Sequence, residues 1–144
     1  FCSNRSELES RWLGLRKKLL ESLEDLEHCF VLGTPEESLP NTLNLGFQGI
    51  SAESLLICLD LDGIAVSSGS ACSSGAMEAS HVLLAMGYSH EQAKSSLRIS
   101  MGWNTSEEDI EELSRQLIHH VKRLTPISGK SDSNIQFPEP VTEI

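Results

Sequence analysis

No stretch of the 144-residue sequence approaches the ~18 consecutive apolar residues of a membrane-spanning helix, so no membrane segment is expected. The four cysteines are Cys2, Cys29, Cys58 and Cys72, and no two sit at CxxC spacing, which argues against a zinc knuckle. They are also far too few for a disulfide scaffold, and free thiols fit a reducing compartment: the cytoplasm, or an organelle stroma or matrix. An excess of positive charge is missing too. Eleven Lys and Arg stand against 21 Asp and Glu, a formal net charge of −10, so no general basic field is available for nucleic acid. Arg16-Lys17-Lys18 is a local exception, expected on the solvated face of a helix. No secretory leader is legible. The chain starts Phe1-Cys2 without a methionine and runs almost directly into a helix, so it is expected to be the latter part of something longer, either a fragment or a processed or cropped chain.

What is present suits one domain with a sizeable core. Hydrophobic residues make up 39% and charged residues 22%, which argues against wholesale disorder. Leu8, Trp12, Leu15, Leu19, Leu23 and Leu26 recur at three- and four-residue steps, predicting a helix over 6–28 with Ser6 and Glu9 as its capping box. Short strands are expected at Cys29–Leu32, Thr42–Phe47 and Ile64–Val66. Ser51 is placed to cap a helix over Ala52–Leu61 that stops at Asp62-Gly63. A helix over Glu78–Met86 closes at Gly87, and a helical turn covers His90–Lys94. The clearest strand is Ser95–Met101, in which Leu97, Ile99 and Met101 share one face and Ser96, Arg98 and Ser100 the other. Ser106 starts a last helix with an acidic first turn, Lys122 and Arg123 at its far end, and a stripe of Ile110, Leu113, Leu117, Val121 and Leu124. Helices separated by short strands indicate a small α+β or α/β layer, with helices mainly on one face of the sheet and long first and last helices. Residues 1–126 form this domain; 127–144 lose all periodicity and are expected to be a loosely ordered tail.

Chemistry centres on Ser67-Ser68-Gly69-Ser70-Ala71-Cys72-Ser73-Ser74-Gly75. Free cysteines are more often packing residues than nucleophiles, and Cys29 and Cys58, set among apolar neighbours, fit packing. Cys72 has no bulky apolar residue within four positions, so a short tether of small residues presents its thiol for reaction. The segment lacks the lysine of a phosphate-cradling loop and the glycine spacing of a nucleophile elbow. Arg98 is the second candidate: its guanidinium could grip a carboxylate by two parallel hydrogen bonds, or be an exposed edge arginine or structural ion pair. His119 and His120 point about 100° apart on one helix and are expected at its surface. His81 could approach the Cys72 segment as a base, but more often such a histidine is a surface residue.

The segment 67–75, followed by Glu78, Ser80-His81-Val82-Leu83 and Gly87, resembles the active-site loop of cysteine desulfurases of the NifS/IscS type. Ser96-Leu97-Arg98-Ile99-Ser100-Met101-Gly102, Thr105 and Glu107-Glu108-Asp109-Ile110 are similar to that family's next landmark, and Leu43-Asn44 and Glu53-Ser54-Leu55-Leu56 match upstream. The likeness covers roughly residues 6–124. It implies the C-terminal small domain of a fold type I pyridoxal phosphate enzyme that takes sulfur from L-cysteine and releases L-alanine. Cys72 then accepts the sulfur as a persulfide and Arg98 binds the substrate carboxylate. Further implications are a homodimer when complete, an iron–sulfur scaffold or other sulfur-acceptor protein as partner, and Cys72 as a ligand shared with that acceptor's cluster. The family's cofactor lysine has no counterpart: Lys17, Lys18, Lys94, Lys122 and Lys130 all lie in other contexts. The upstream domain carrying that lysine is therefore expected outside this chain, which alone should neither hold the cofactor nor desulfurate cysteine. Ala79 replaces a residue often proline in the family. The alternative is a free-standing module that relays persulfide or docks an iron–sulfur scaffold.

Overall fold

A computed structural model of the chain describes residues 3–68 and 79–125. Four strands, β1 (Cys29–Leu32), β2 (Thr42–Phe47), β3 (Ser67–Ser68) and β4 (Ser96–Ser100), form one sheet in the order β1-β2-β4-β3. Every neighbouring pair is antiparallel. Among the described residues five α-helices accompany it: α1 (Ser3–Ser22), α2 (Ala52–Leu61), α3 (His81–Ala85), α4 (His90–Lys94) and α5 (Glu107–Leu124).

Alternation along the strands decides which side of the sheet is dry. Leu43, Leu45 and Phe47 of β2 and Leu97 and Ile99 of β4 face the main core, where the leucine stripe of α1, Leu55 and Leu59 of α2 and the apolar stripe of α5 meet them. Leu19, Leu55, Leu59 and Leu117 are fully buried; each such side chain stabilises the fold by about 1.5–3 kcal/mol through removal of apolar surface from water. The opposite face carries a smaller cluster in which Phe30 and Leu32 of β1 meet Ala79, Leu83 of α3 and Ala93 of α4. Helices thus lie mainly on one face, with two short ones covering part of the other. Gly46, the partner of Phe30 across β1–β2, lets the ring lie flat on the strand: a Cβ there would come within 2.2 Å of it.

The first helix departs from its expected span. It begins at Ser3, so Ser6 lies inside it and does not cap it, and it ends at Ser22 rather than near residue 28. Leu23 and Leu26 stay buried because the chain continues in tight turns, Leu23 N–H to Leu19 O and Leu26 N–H to Leu23 O. His28, at φ 69°, then reverses direction into β1. Among the described residues the run Ile64–Val66 joins no strand ladder; the strand is the two serines after it, because β4 offers its free edge at Arg98 and Leu97. The helix expected from Glu78 starts at His81, where Ser80 supplies the cap by accepting from the Leu83 N–H. The clear strand is one residue shorter at each end than Ser95–Met101. Thr42–Phe47, Ala52–Leu61, His90–Lys94 and the helix after Ser106 fall where the sequence puts them. The last is closed by a reciprocal capping box between Ser106 and Asp109.

Two surface expectations fail. In Arg16-Lys17-Lys18 only Lys17 is exposed; Arg16 is buried, and Lys18 bonds Glu107 at 2.8 Å and Glu111 at 2.6 Å on α5. His120 is not at the surface but 5% exposed, its Nε2 2.6 Å from Asp62 Oδ2 at the end of α2. The α5 stripe predicted from spacing turns that face toward α2, and His120 falls one step from Val121 within it. Residues 126–144, including the expected tail, lie outside the described residues. Among the described residues no helix is long and apolar enough to cross a membrane.

Candidate functional site

Arg98 sits at the middle of β4, flanked across the sheet by Asn44 of β2 and Ser67 of β3. The three form one row on the face opposite the main core. Leu97 and Ile99 are held down in that core, so strand alternation turns Arg98 outward, and it is exposed. A cleft of about 370 Å³ opens over it. Asn44 and Arg98 line its floor, Gly33, Glu37 and Ser38 one side, and Ser80, Val82 and Met86 of the α3 region the other. Gly33, at φ 84°, begins that first side, and its N–H donates to Tyr88 Oη at 2.9 Å. Val82 and Met86 are exposed apolar residues on the rim.

Among the described residues the Arg98 side chain makes no ion pair or hydrogen bond, although Glu37 lines the same cleft. Arg115, by contrast, is paired with Glu112 one turn away on α5. A guanidinium that meets a cleft without a partner carries its fork of donors available to a planar anion.

Cys72 lies outside the described residues, so its expected role and its expected sharing of a cluster iron lie there too. Both described ends of its segment adjoin Arg98. Ser67 is the cross-strand partner of Arg98, and Ser80, at the exit, lines the cleft. Ala79 just before it is buried against Phe30 and Leu83. The structure therefore brings Arg98 and the flanks of the Cys72 segment to one place. His81 is exposed at the start of α3 and is not among the residues lining that cleft.

The other thiols do different things. Cys29 packs against the main core, and burial pushes its thiol pKa up to about 12, which keeps it neutral. Cys58 departs from the packing expectation: it is half-buried on α2, and Arg123 donates to its Sγ at 3.4 Å. Among the described residues no group of three His, Cys, Asp or Glu side chains is placed to hold a metal ion. Nor do the described residues fit a pyridoxal phosphate attachment. No lysine lines the cleft; Lys17, Lys94 and Lys122 are exposed elsewhere, and Lys18 is occupied by two carboxylates. A recess of about 380 Å³ between the α1–β1 turn and the end of α5 contains Asp25, Glu27, His28 and Lys122 but neither Arg98 nor the flanks of the Cys72 segment.

Sequence spacing alone did not single out a clasp behind the site. Arg11 donates to the carbonyls of Trp103 at 2.8 Å and Thr105 at 2.6 Å, and Trp12 Nε1 to Gly102 O at 2.9 Å. These bonds tie α1 to the loop leaving β4. No local pattern signals them, because the partners are about ninety residues apart and are backbone carbonyls.

The aminotransferase class-V family profile matches residues 4–113, about three quarters of the chain. The chain belongs to the aminotransferase class-V family. Within that family it is similar to cysteine desulfurase IscS of Cronobacter sakazakii, 42% identical over 125 residues that cover 85% of this chain and 30% of the relative. Cysteine desulfurase IscS 1 of Archaeoglobus fulgidus is 38% identical over 114 residues, 79% of this chain and 30% of the relative. Among solved structures, a NifS-like protein from Rickettsia africae superposes with a TM-score of 0.71 at 30% identity, covering 84% of this chain and 31% of that one. The chain thus spans about 30% of the length of the curated relatives it matches.

Proposed function

We propose that residues 1–126 are the C-terminal small domain of a cysteine desulfurase, with pyridoxal phosphate as the electron sink held by the remainder of the complete enzyme. Arg98 grips the carboxylate of L-cysteine, and Cys72 receives the sulfur. The observation that carries the reading is the exposed guanidinium, unpartnered among the described residues, with both flanks of the Cys72 segment beside it.

In this reading Arg98 fixes the substrate by two parallel N–H···O bonds and so orients its side chain. The Cys72 thiolate attacks the substrate sulfur. An S–S bond forms, the substrate C–S bond breaks with its electron pair left on carbon, and that carbon takes a proton to give L-alanine. The small residues around Cys72 let the persulfide leave the cleft for an acceptor, an iron–sulfur scaffold or another sulfur carrier. A homodimer in a reducing compartment is the matching assembly. Residues 127–144 are a tail outside this domain.

The test uses the full-length protein. With L-cysteine, mass spectrometry should find one added sulfur, about 32 Da, on the peptide containing Cys72, and Cys72→Ser should abolish it while the cofactor spectrum persists. Added sulfur on another residue would overturn the assignment. Sulfur accepted by Cys72 only from a donor protein, with no turnover of L-cysteine, would favour a relay module.

A further inference from the structure

Asn44 is the direct cross-strand partner of Arg98 on β2 and lines the same cleft. Side chains of such a pair stand on one face of the sheet with Cβ atoms about 4.5–5.5 Å apart. Asn44 is half-buried, and among the described residues its side-chain amide makes no hydrogen bond. Its neighbours on β2 behave differently: Leu43 and Leu45 are buried in the main core, and Asn41, just before the strand, donates its amide to Met101 O at 3.3 Å. On the other side of Arg98, Ser67 donates its hydroxyl to Ser68 O at 3.1 Å. Asn44 is thus the flanking group with an uncommitted N–H donor.

We propose that Asn44 is a second ligand for the substrate carboxylate, its amide donating to one carboxylate oxygen while Arg98 holds the group from the adjacent strand. The proposal rests on the assignment of Arg98 as the carboxylate clamp. Charge explains why an amide suits the position. An aspartate at residue 44 would pair with Arg98 and occupy the fork that the substrate needs. An apolar residue would leave one carboxylate oxygen without a partner at a partly desolvated wall. The amide avoids both, and it prefers a planar carboxylate over a neutral amide or ester in the same position.

The experiment measures KM and kcat for L-cysteine, and the dissociation constant of L-alanine by calorimetry, in the full-length holoenzyme. Asn44→Ala should raise both KM and the L-alanine constant about tenfold, the loss expected for one hydrogen bond to a charged group, with kcat changed less than about twofold. Asn44→Asp should raise both further. Asn44→Val, a good strand former without a donor, reproduces the alanine result if Asn44→Ala fails to fold. Arg98→Ala is run beside them. If Arg98→Ala weakens L-alanine binding while Asn44→Ala and Asn44→Val leave KM and L-alanine binding unchanged, Asn44 is not a ligand and the Arg98 assignment stands. A fall in kcat alone in the Asn44 variants likewise rejects the proposal. If Arg98→Ala itself leaves L-alanine binding unchanged, the clamp fails and Asn44 with it.

Discussion

Cys29 and Arg98 show how one chain keeps one reactive group silent and another available. Cys29 starts β1 and packs on the core, and desolvation raises its thiol pKa to about 12. Its native thiol should therefore resist alkylation at neutral pH and react only after denaturation; rapid native labelling, followed by mass spectrometry, would contradict that placement. The sign for stability follows. The unfolded thiol ionises near 9.0 and the folded one near 12, so between those values rising pH favours the unfolded chain, and Cys29→Ala should flatten stability over that alkaline window. Arg98 lies at the other extreme, exposed on a strand whose alternate residues are buried. Arg98→Ala should leave the thermal midpoint nearly unchanged while, on the carboxylate-clamp role proposed above, KM for L-cysteine in the full-length protein rises at least a hundredfold through loss of a bidentate charged contact. Gly46 is fixed by shape rather than chemistry. Gly46→Ala drives a Cβ into the Phe30 ring, so it should destabilise the fold by about 1–3 kcal/mol in a denaturant titration.

Among the elements, α5 is the most self-sufficient. Ser106 and Asp109 satisfy each other's backbone N–H, and those bonds hold the Asp109 carboxyl below its ordinary pKa. Ser106→Ala should cost about 1 kcal/mol of stability, measurable by urea titration. Such an element is readable from local signals, because the acidic first turn and the apolar stripe lie within its own eighteen residues and the cap immediately before them. Two of the segments misplaced from sequence have ends that depend on a distant partner. The end of α1 is set by where the chain must turn to reach β1, and β3 by the free edge of β4. Ile64–Val66 has better strand propensity than Ser67-Ser68, yet edge geometry overrides propensity there.

For the molecule as a whole, α1, α2 and α5 are tied together by contacts far apart in the chain. Lys18 of α1 reaches Glu107 and Glu111 of α5, which holds Glu107 below its ordinary pKa and raises that of Lys18. A carboxylate so depressed adds stability above its unfolded pKa, near 4.5, and that increment disappears as pH falls through the lower folded value. Lys18→Met should therefore lessen the loss of stability on acidification, read as thermal midpoints between neutral pH and about pH 3. These pairs are exposed and solvent-screened, so the effect is a small shift in the acid limb. Asp62 and His120 join α2 to α5 from within, and His120 Nδ1 is buried without a partner among the described residues. Asp62→Ala would strip the ring of its remaining bond and should destabilise the domain by about 1–3 kcal/mol.

Periodicity, capping residues and turn signals determined the kinds and rough places of the helices and most strands, because each is a local property of consecutive side chains. The polar face of β4 that holds Arg98 was equally legible. Only the tertiary structure decided that β2 and β3 flank Arg98, that Asn44 stands beside it, and that His120 is buried while His119 is exposed. Those outcomes depend on strand order, register and helix docking, which arise from burying surfaces distant in sequence and leave no signature in any one stretch of chain.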